Sequence, residues 1–292
     1  MKTWDKSFAP VAVNHYIASA KHRDADAYSC YRAIERHNRT LDAASRVRCL
    51  KRLIKLDPYC LLIPATVDLH ALSERDARSL ECHIVLDDLD AQNFARGKLF
   101  HAVGTKARPP SKVALQRSIQ YLQKIAEDRR DSDTYLMLIQ AYEETEPLQG
   151  IKYYQPFLNS HAPEWRGFPL IMILEPLVAR EDFETYARFH GLFYTLPENA
   201  HICECYFNNF HSWEGIWELR QGHLDEVRNH LQRSQSVRGC PHLNSGGFEF
   251  SLVEKLVEAK MLLPEVRSYL QVARNFESSE KLKTLTLAAA QA

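Results

Sequence analysis

The sequence predicts an all-α fold: antiparallel helix pairs stacked into a right-handed α-α superhelix. Three observations carry that expectation. Apolar residues recur at helical spacing along most of the chain, the pattern of helices that each bury one face. Only 10 of the 292 residues are glycine and runs of β-branched residues are almost absent, against the needs of sandwiches and doubly wound sheets. Helix starts recur roughly every 35 to 40 residues from Ser132 onward, near the ~34-residue period of paired-helix repeats.

Residues 24–37 form the first amphipathic helix, with Tyr28, Tyr31 and Ile34 on one side. Residues 41–56 follow, with Val47, Leu50, Leu53, Ile54 and Leu56 at helical spacing, and Pro58 forbids continuation. Residues 59–71 read as a buried helix interrupted by Pro64. Ser73 is an N-cap, with Asp76 three residues on, opening a helix over 74–86. Another helix covers 89–103. The basic stretch 104–111, with Pro109 and Pro110, reads as a connector. It divides an N-terminal helical segment, 1–103, from a C-terminal one, 112–292, or links them within one continuous solenoid.

Leu115, Ile119, Leu122 and Ile125 mark a helix over 112–128. Ser132 caps the next, through Leu136, Ile139 and Tyr142, and Pro147 starts its partner with Ile151, Tyr154 and Leu158. Residues 166–178 and 182–196 make a further pair ended by Pro197; 199–218 and 224–234 make another, with its turn at Gly222. Gly215 and Gly222 lie seven apart, followed by Val227 and Leu231. This is the skeleton of a two-helix unit in which a small residue lets paired helices approach and apolar residues fill the seam. Residues 251–261 and 264–276 read as capping helices, and 284–292 as a frayed end.

The stretches Gly222-His-Leu-Asp-Glu-Val227, Gly239-Cys-Pro-His-Leu-Asn-Ser-Gly-Gly247 and Leu252-Val-Glu-Lys-Leu-Val-Glu-Ala259 occur in that order. Through them, 213–276 resembles the C-terminal segment of bacterial tetratricopeptide-like proteins, as a degenerate member. Cys240, His242 and Gly246 stand where that group has Ser, Gln and Phe. Leu56-Asp57-Pro58 is similar to the end of a tetratricopeptide helix pair. The resemblance implies a tetratricopeptide-like solenoid and no particular chemistry.

Composition narrows the function classes. Lys plus Arg and Asp plus Glu both total 37, for zero formal charge; a grip on nucleic acid normally needs a cationic excess. The basic clusters Arg46-Arg48-Lys51-Arg52, 106–112 and Arg129-Arg130 lack interleaved aromatics for stacking on bases and read as solvated helix faces. No window has the apolar length of a membrane span. The seven cysteines lack framework spacing, and residues 1–10 lack a signal-peptide core, so a cytoplasmic protein with reduced thiols is expected.

No Gly-x-Ser-x-Gly elbow, phosphate loop or dinucleotide fingerprint is present. Acidic pairs such as Asp87-Asp88, Glu143-Glu144 and Glu181-Asp182 sit near helix ends, where charge favours the dipole. The expectation is therefore a non-enzymatic, cofactor-free module for protein–protein interaction: an adaptor, a chaperone-like protein or an immunity-type inhibitor. Its partner is another protein or peptide, held in a concave groove lined by first helices. Tyr135, Tyr206, Asn208, Asn209 and Trp213 are the expected contacts, because aromatic and amide side chains grip an extended segment. The alternative is a zinc- or thiol-dependent protein. His201 and Cys205, at i and i+4, would share a helix face, and Cys240 and His242 would complete four ligands.

Overall fold

The computed structural model describes residues 43–56, 58–62, 69–197, 200, 203–237, 248–276 and 278–291. Among these, every regular element is helical and there is no strand. The helix expected over 24–37 lies outside the described residues. The chain forms two compact units that divide at Phe157 and Leu158.

In the first unit, α1 (Ala43–Leu56) ends before Pro58. Of the helix expected over 59–71, the described residues form two short 3-10 turns, Pro58–Leu62 and Leu69–Ala71, and 63–68 lie outside the described residues. Then α2 (Glu74–Leu80) opens on a complete capping box: Ser73 Oγ accepts from the Asp76 amide at 3.2 Å, and the Asp76 carboxylate accepts from the Ser73 amide at 3.1 Å. A 3-10 turn, Glu81–His83, finishes it short of residue 86.

The long α3 (Leu89–Lys106) is capped by Asp88, and α4 (Lys112–Leu122) packs back along it. The expected connector 104–111 is in part helical: 104–106 are the last residues of α3, and 107–111 join it to α4 inside this unit, with Ser111 N donating to Gly104 O at 2.9 Å. A Cβ at Gly97 would lie 2.6 Å from Leu122 Cδ2, and Ser118 Oγ donates to Gly97 O at 2.9 Å, so the hairpin closes on a position without a side chain. The cap of α5 (Ser132–Thr145) is Asp131, not Ser132: its carboxylate accepts from the Thr134 amide at 2.8 Å. Two short helices follow, α6 (Pro147–Gly150) and α7 (Tyr154–Asn159). Leu50, Leu53, Ile54, Leu80, Leu99 and Phe100 make the centre of the core.

The second unit contains α8 (Gly167–Ala179), then α9 (Phe183–Phe189), which tightens into a 3-10 helix, His190–Thr195. After it come α10 (Glu204–Gln221) and α11 (Leu224–Gln235), then α12 (Ser251–Glu258) and α13 (Leu263–Ala273). Each of these three successive pairs packs internally; α10 also lies against α8 and α12, and α11 against α13. The expected frayed end is instead α14 (Glu280–Gln291), which buries Leu282, Leu285 and Ala289 and packs on α13.

Gly222 sits at φ +78° and completes a Schellman turn: its amide donates to Leu219 O, and the His223 amide to Glu218 O, both at 3.1 Å. Gly215 has a different partner from the one its spacing suggests. A Cβ there would come within 2.4 Å of Leu252 Cδ2 on α12. The small residue thus admits the following pair, not its own hairpin partner.

Candidate functional site

The centre of the second unit is α10. Its buried residues, Cys205, Asn208 and 210–216, surround the axis instead of forming a stripe. Asn208 and Glu214, on two of its faces, are satisfied by different neighbours. Asn208, fully buried, donates through Nδ2 to Ser234 O and to the Tyr269 hydroxyl, each at 2.9 Å, and accepts from the Glu249 amide at 2.7 Å. It ties α10 to α11, α13 and the segment before α12. This corrects its expected role: an amide with both ends spent inside the chain offers nothing to a partner.

Trp213, 2 % exposed, is likewise core and not groove. Asn209 is half-buried with Oδ1 enclosed. Tyr206 is half-buried, its ring 5.8 Å from that of the exposed Phe168. Tyr135 belongs to the other compact unit, where its ring lies 6.4 Å from Tyr153. Of the four expected contacts in the second unit, Asn208 and Trp213 are buried and only Tyr206 and Asn209 are in part accessible. Of the alternative metal set, His201, Cys240 and His242 lie outside the described residues. Cys205 is a buried thiol, and no group of three metal-binding side chains occurs among the described residues.

On another face of α10, Glu214 is only 3 % exposed. The Tyr186 hydroxyl donates to its Oε1 at 2.6 Å and the Tyr194 hydroxyl to its Oε2 at 3.1 Å; His190 Nδ1 lies 2.9 Å from Oε1. Burial pushes this carboxyl upward. The hydrogen bonds from His190, Tyr186 and Tyr194 more than offset that, so Glu214 is held ionised below the usual carboxylate range. The same arrangement raises both tyrosines, through burial first and the Glu214 charge second. Trp217, one turn on, places its ring 4.6 Å from that of His190.

Tyr194 is 54 % exposed. Its ring, with Phe193, Pro197, Phe207, His211 and Arg233, lines an open cleft of about 450 Å³. Phe193 stacks on Phe210 at 3.8 Å and meets Phe207 edge-on at 5.6 Å, so the aromatic wall is anchored in the core. On the inner side, His211 Nδ1 lies 3.2 Å from His230 Nδ1; one nitrogen donates and the other accepts, as two neutral rings of opposite tautomer do. Burial first, then His230 and Arg233, hold His211 down at about 4, and burial lowers His230 as well.

The titratable groups of the cleft thus rest in fixed states near neutrality: a protonated phenol, a neutral imidazole and a permanent guanidinium cation. General acid–base work favours a group that titrates near the operating pH. Two non-catalytic roles account for acidic pairs noted in the sequence. Asp88 caps α3 while pairing with Arg129, and Asp182 caps α9 through the Thr185 amide at 3.1 Å. The basic cluster at 129–130 is also engaged locally: Arg129 with Asp88 and Asp90, Arg130 with the carbonyls of Gln123 and Ile125.

The sequence reading missed Glu214, its three donors, and the cleft. The donors lie 20 to 28 residues away in sequence, and no motif spacing joins them. The available signal was α10 itself, a long helix whose apolar residues do not gather into a single stripe. No protein-family model matches the chain, and no curated protein sequence matches it.

Proposed function

We propose that the chain is a non-enzymatic, tetratricopeptide-like helical-repeat module that holds a partner polypeptide at the ring-lined cleft of its second unit. One observation carries this reading. Phe207 and Tyr194, with 37 % and 54 % of their surfaces exposed, border a depression whose aromatic walls are braced from behind by buried rings. Rigid, half-exposed aromatics beside a pocket are the usual anchors of protein recognition. The fixed protonation states of the cleft favour binding over proton transfer. The paired-helix packing of α8 to α13 supports the repeat assignment. An adaptor, a chaperone-like protein and a toxin-neutralising inhibitor, acting in the cytoplasm, all use such a site.

The test is site-specific photo-crosslinking in the native host, with a benzophenone side chain at Phe207 or, as a control, at the exposed Leu287 of α14. A discrete adduct from position 207, absent from 287 and lost with a Tyr194→Ala companion change, is the expected result. Equal adduct patterns at both positions, or none at either, would refute the reading.

A further inference from the structure

Resting on that reading of the cleft, we infer that the captured segment is acidic: it places an aromatic or aliphatic anchor among Phe193, Tyr194 and Phe207 and sets a flanking carboxylate on Arg233. The cleft has two chemically distinct parts. Three rings supply an apolar wall that is costly to leave against water. Arg233, exposed in the last turn of α11, supplies the only permanent charge among the described residues of the lining.

Among the described residues that charge has no acidic counterpart. Among the described residues no carboxylate lies within ion-pair distance of Arg233, whereas Arg117, Arg129, Arg220 and Arg228 are each paired. The nearby acids are engaged elsewhere. Glu214 is enclosed by Tyr186, His190 and Tyr194, and Glu218 meets His223 at 2.7 Å. His211, the other basic group on the lining, is held neutral by its burial, so it neither adds to nor competes with the guanidinium.

A basic segment would bring like charge onto Arg233, and a neutral one would leave its donors to water alone. A carboxylate beside an apolar anchor satisfies both parts at once, with the planar fork geometry that suits guanidinium to carboxylate. The volume of about 450 Å³ falls toward the lower end of the roughly 300–1,000 Å³ of ordinary ligand sites, which suits one anchor side chain and its neighbour.

The experiment titrates the intact chain by isothermal calorimetry with three blocked pentapeptides, in which a central phenylalanine is flanked by aspartates, by asparagines or by lysines. The aspartate peptide should bind about tenfold more tightly than the asparagine one, with the gap narrowing as salt screens the pair. Arg233→Glu should reverse the order in favour of the lysine peptide, and Phe207→Ser should weaken all three. Circular dichroism of both variants checks that they fold, and Arg233→Gln, which removes charge without reversing it, should abolish the preference alone. Equal affinities for the aspartate and asparagine peptides, an unchanged preference in the Arg233 variants, or no binding of any peptide at millimolar concentration overturns the inference. If the benzophenone at 207 still captures a discrete partner, the cleft stands as a binding site and only its acidic preference falls. If that adduct is also missing, the site itself falls.

Discussion

Asn208 shows how one side chain can determine the join between several helices. An amide carries donors and an acceptor at opposite ends, and here both ends are used on three elements that meet at the fully buried position. Tyr269 extends the chain by donating to Glu249 O while accepting from Asn208. Alanine would leave a buried carbonyl, a phenol and an amide short of partners, each costing on the order of 1–3 kcal/mol. Asn208→Ala should therefore destabilise the second unit by about 3 kcal/mol, read as a lowered midpoint in urea. Asn208→Asp, isosteric but unable to donate when ionised, should fare no better. A shift below about 0.5 kcal/mol, the range of ordinary surface changes, would show that the network is not what holds these helices together. Residue type alone had suggested a groove contact, because a sequence does not show how many partners an amide finds at long range.

At the scale of elements, local signals were readable and distant ones were not. The Ser73 capping box and the Gly222 turn are written within a few residues, and both occur in the structure. The last helix was missed because 284–292 ends in a weakly patterned alanine run, and what stabilises it is burial of Leu282, Leu285 and Ala289 with Arg267 donating to Ala289 O at 2.9 Å. Gly215 was recognised as a site of close approach, yet its neighbour could not be read from spacing. Because a Cβ there meets the fully buried Leu252 at 2.4 Å, Gly215→Ala should cost about 1–3 kcal/mol through overpacking. Leu252→Ala in the same chain should recover part of that loss, a coupling visible in a double-mutant cycle by chemical denaturation. Strictly additive effects would place the strain elsewhere.

At the scale of the whole molecule, both units have ionisable groups that tie their stability to pH in the same direction. In the second unit, His211 titrates at about 4 when folded against 6.5 for the free side chain. The unfolded chain therefore binds more protons between those values, and stability falls as pH drops through that window, by on the order of 3 kcal/mol for a shift of this size. His230, also lowered, acts in the same sense, and Glu214 adds a loss below the normal carboxylate pKa of 4.5. In the first unit, burial pushes Asp76 upward, but hydrogen bonds from Lys51 and Ser73 bring it down to about 2. Its contribution is present above 3.8 and lost as pH falls toward 2. Thermal melts from pH 7 to pH 4 should show a declining Tm, and His211→Gln should flatten the decline; a flat wild-type profile would contradict the buried neutral pair. The all-helical class was legible in composition and period, because those average over many residues. The division at Phe157, by contrast, depends on which helices share a core, and no connector composition announces it.

The chain of contacts running inward from Tyr194 has an optical consequence. Its hydroxyl shares Glu214 with His190, and the His190 ring centre lies 4.6 Å from that of the Trp217 indole, the two planes tilted by 51°. Any guest that displaces the tyrosine ring should alter the surroundings of a natural fluorophore two side chains away. The difference in emission between the native protein and Trp217→Phe, which isolates this one among four tryptophans, supplies an unlabelled gauge of occupancy.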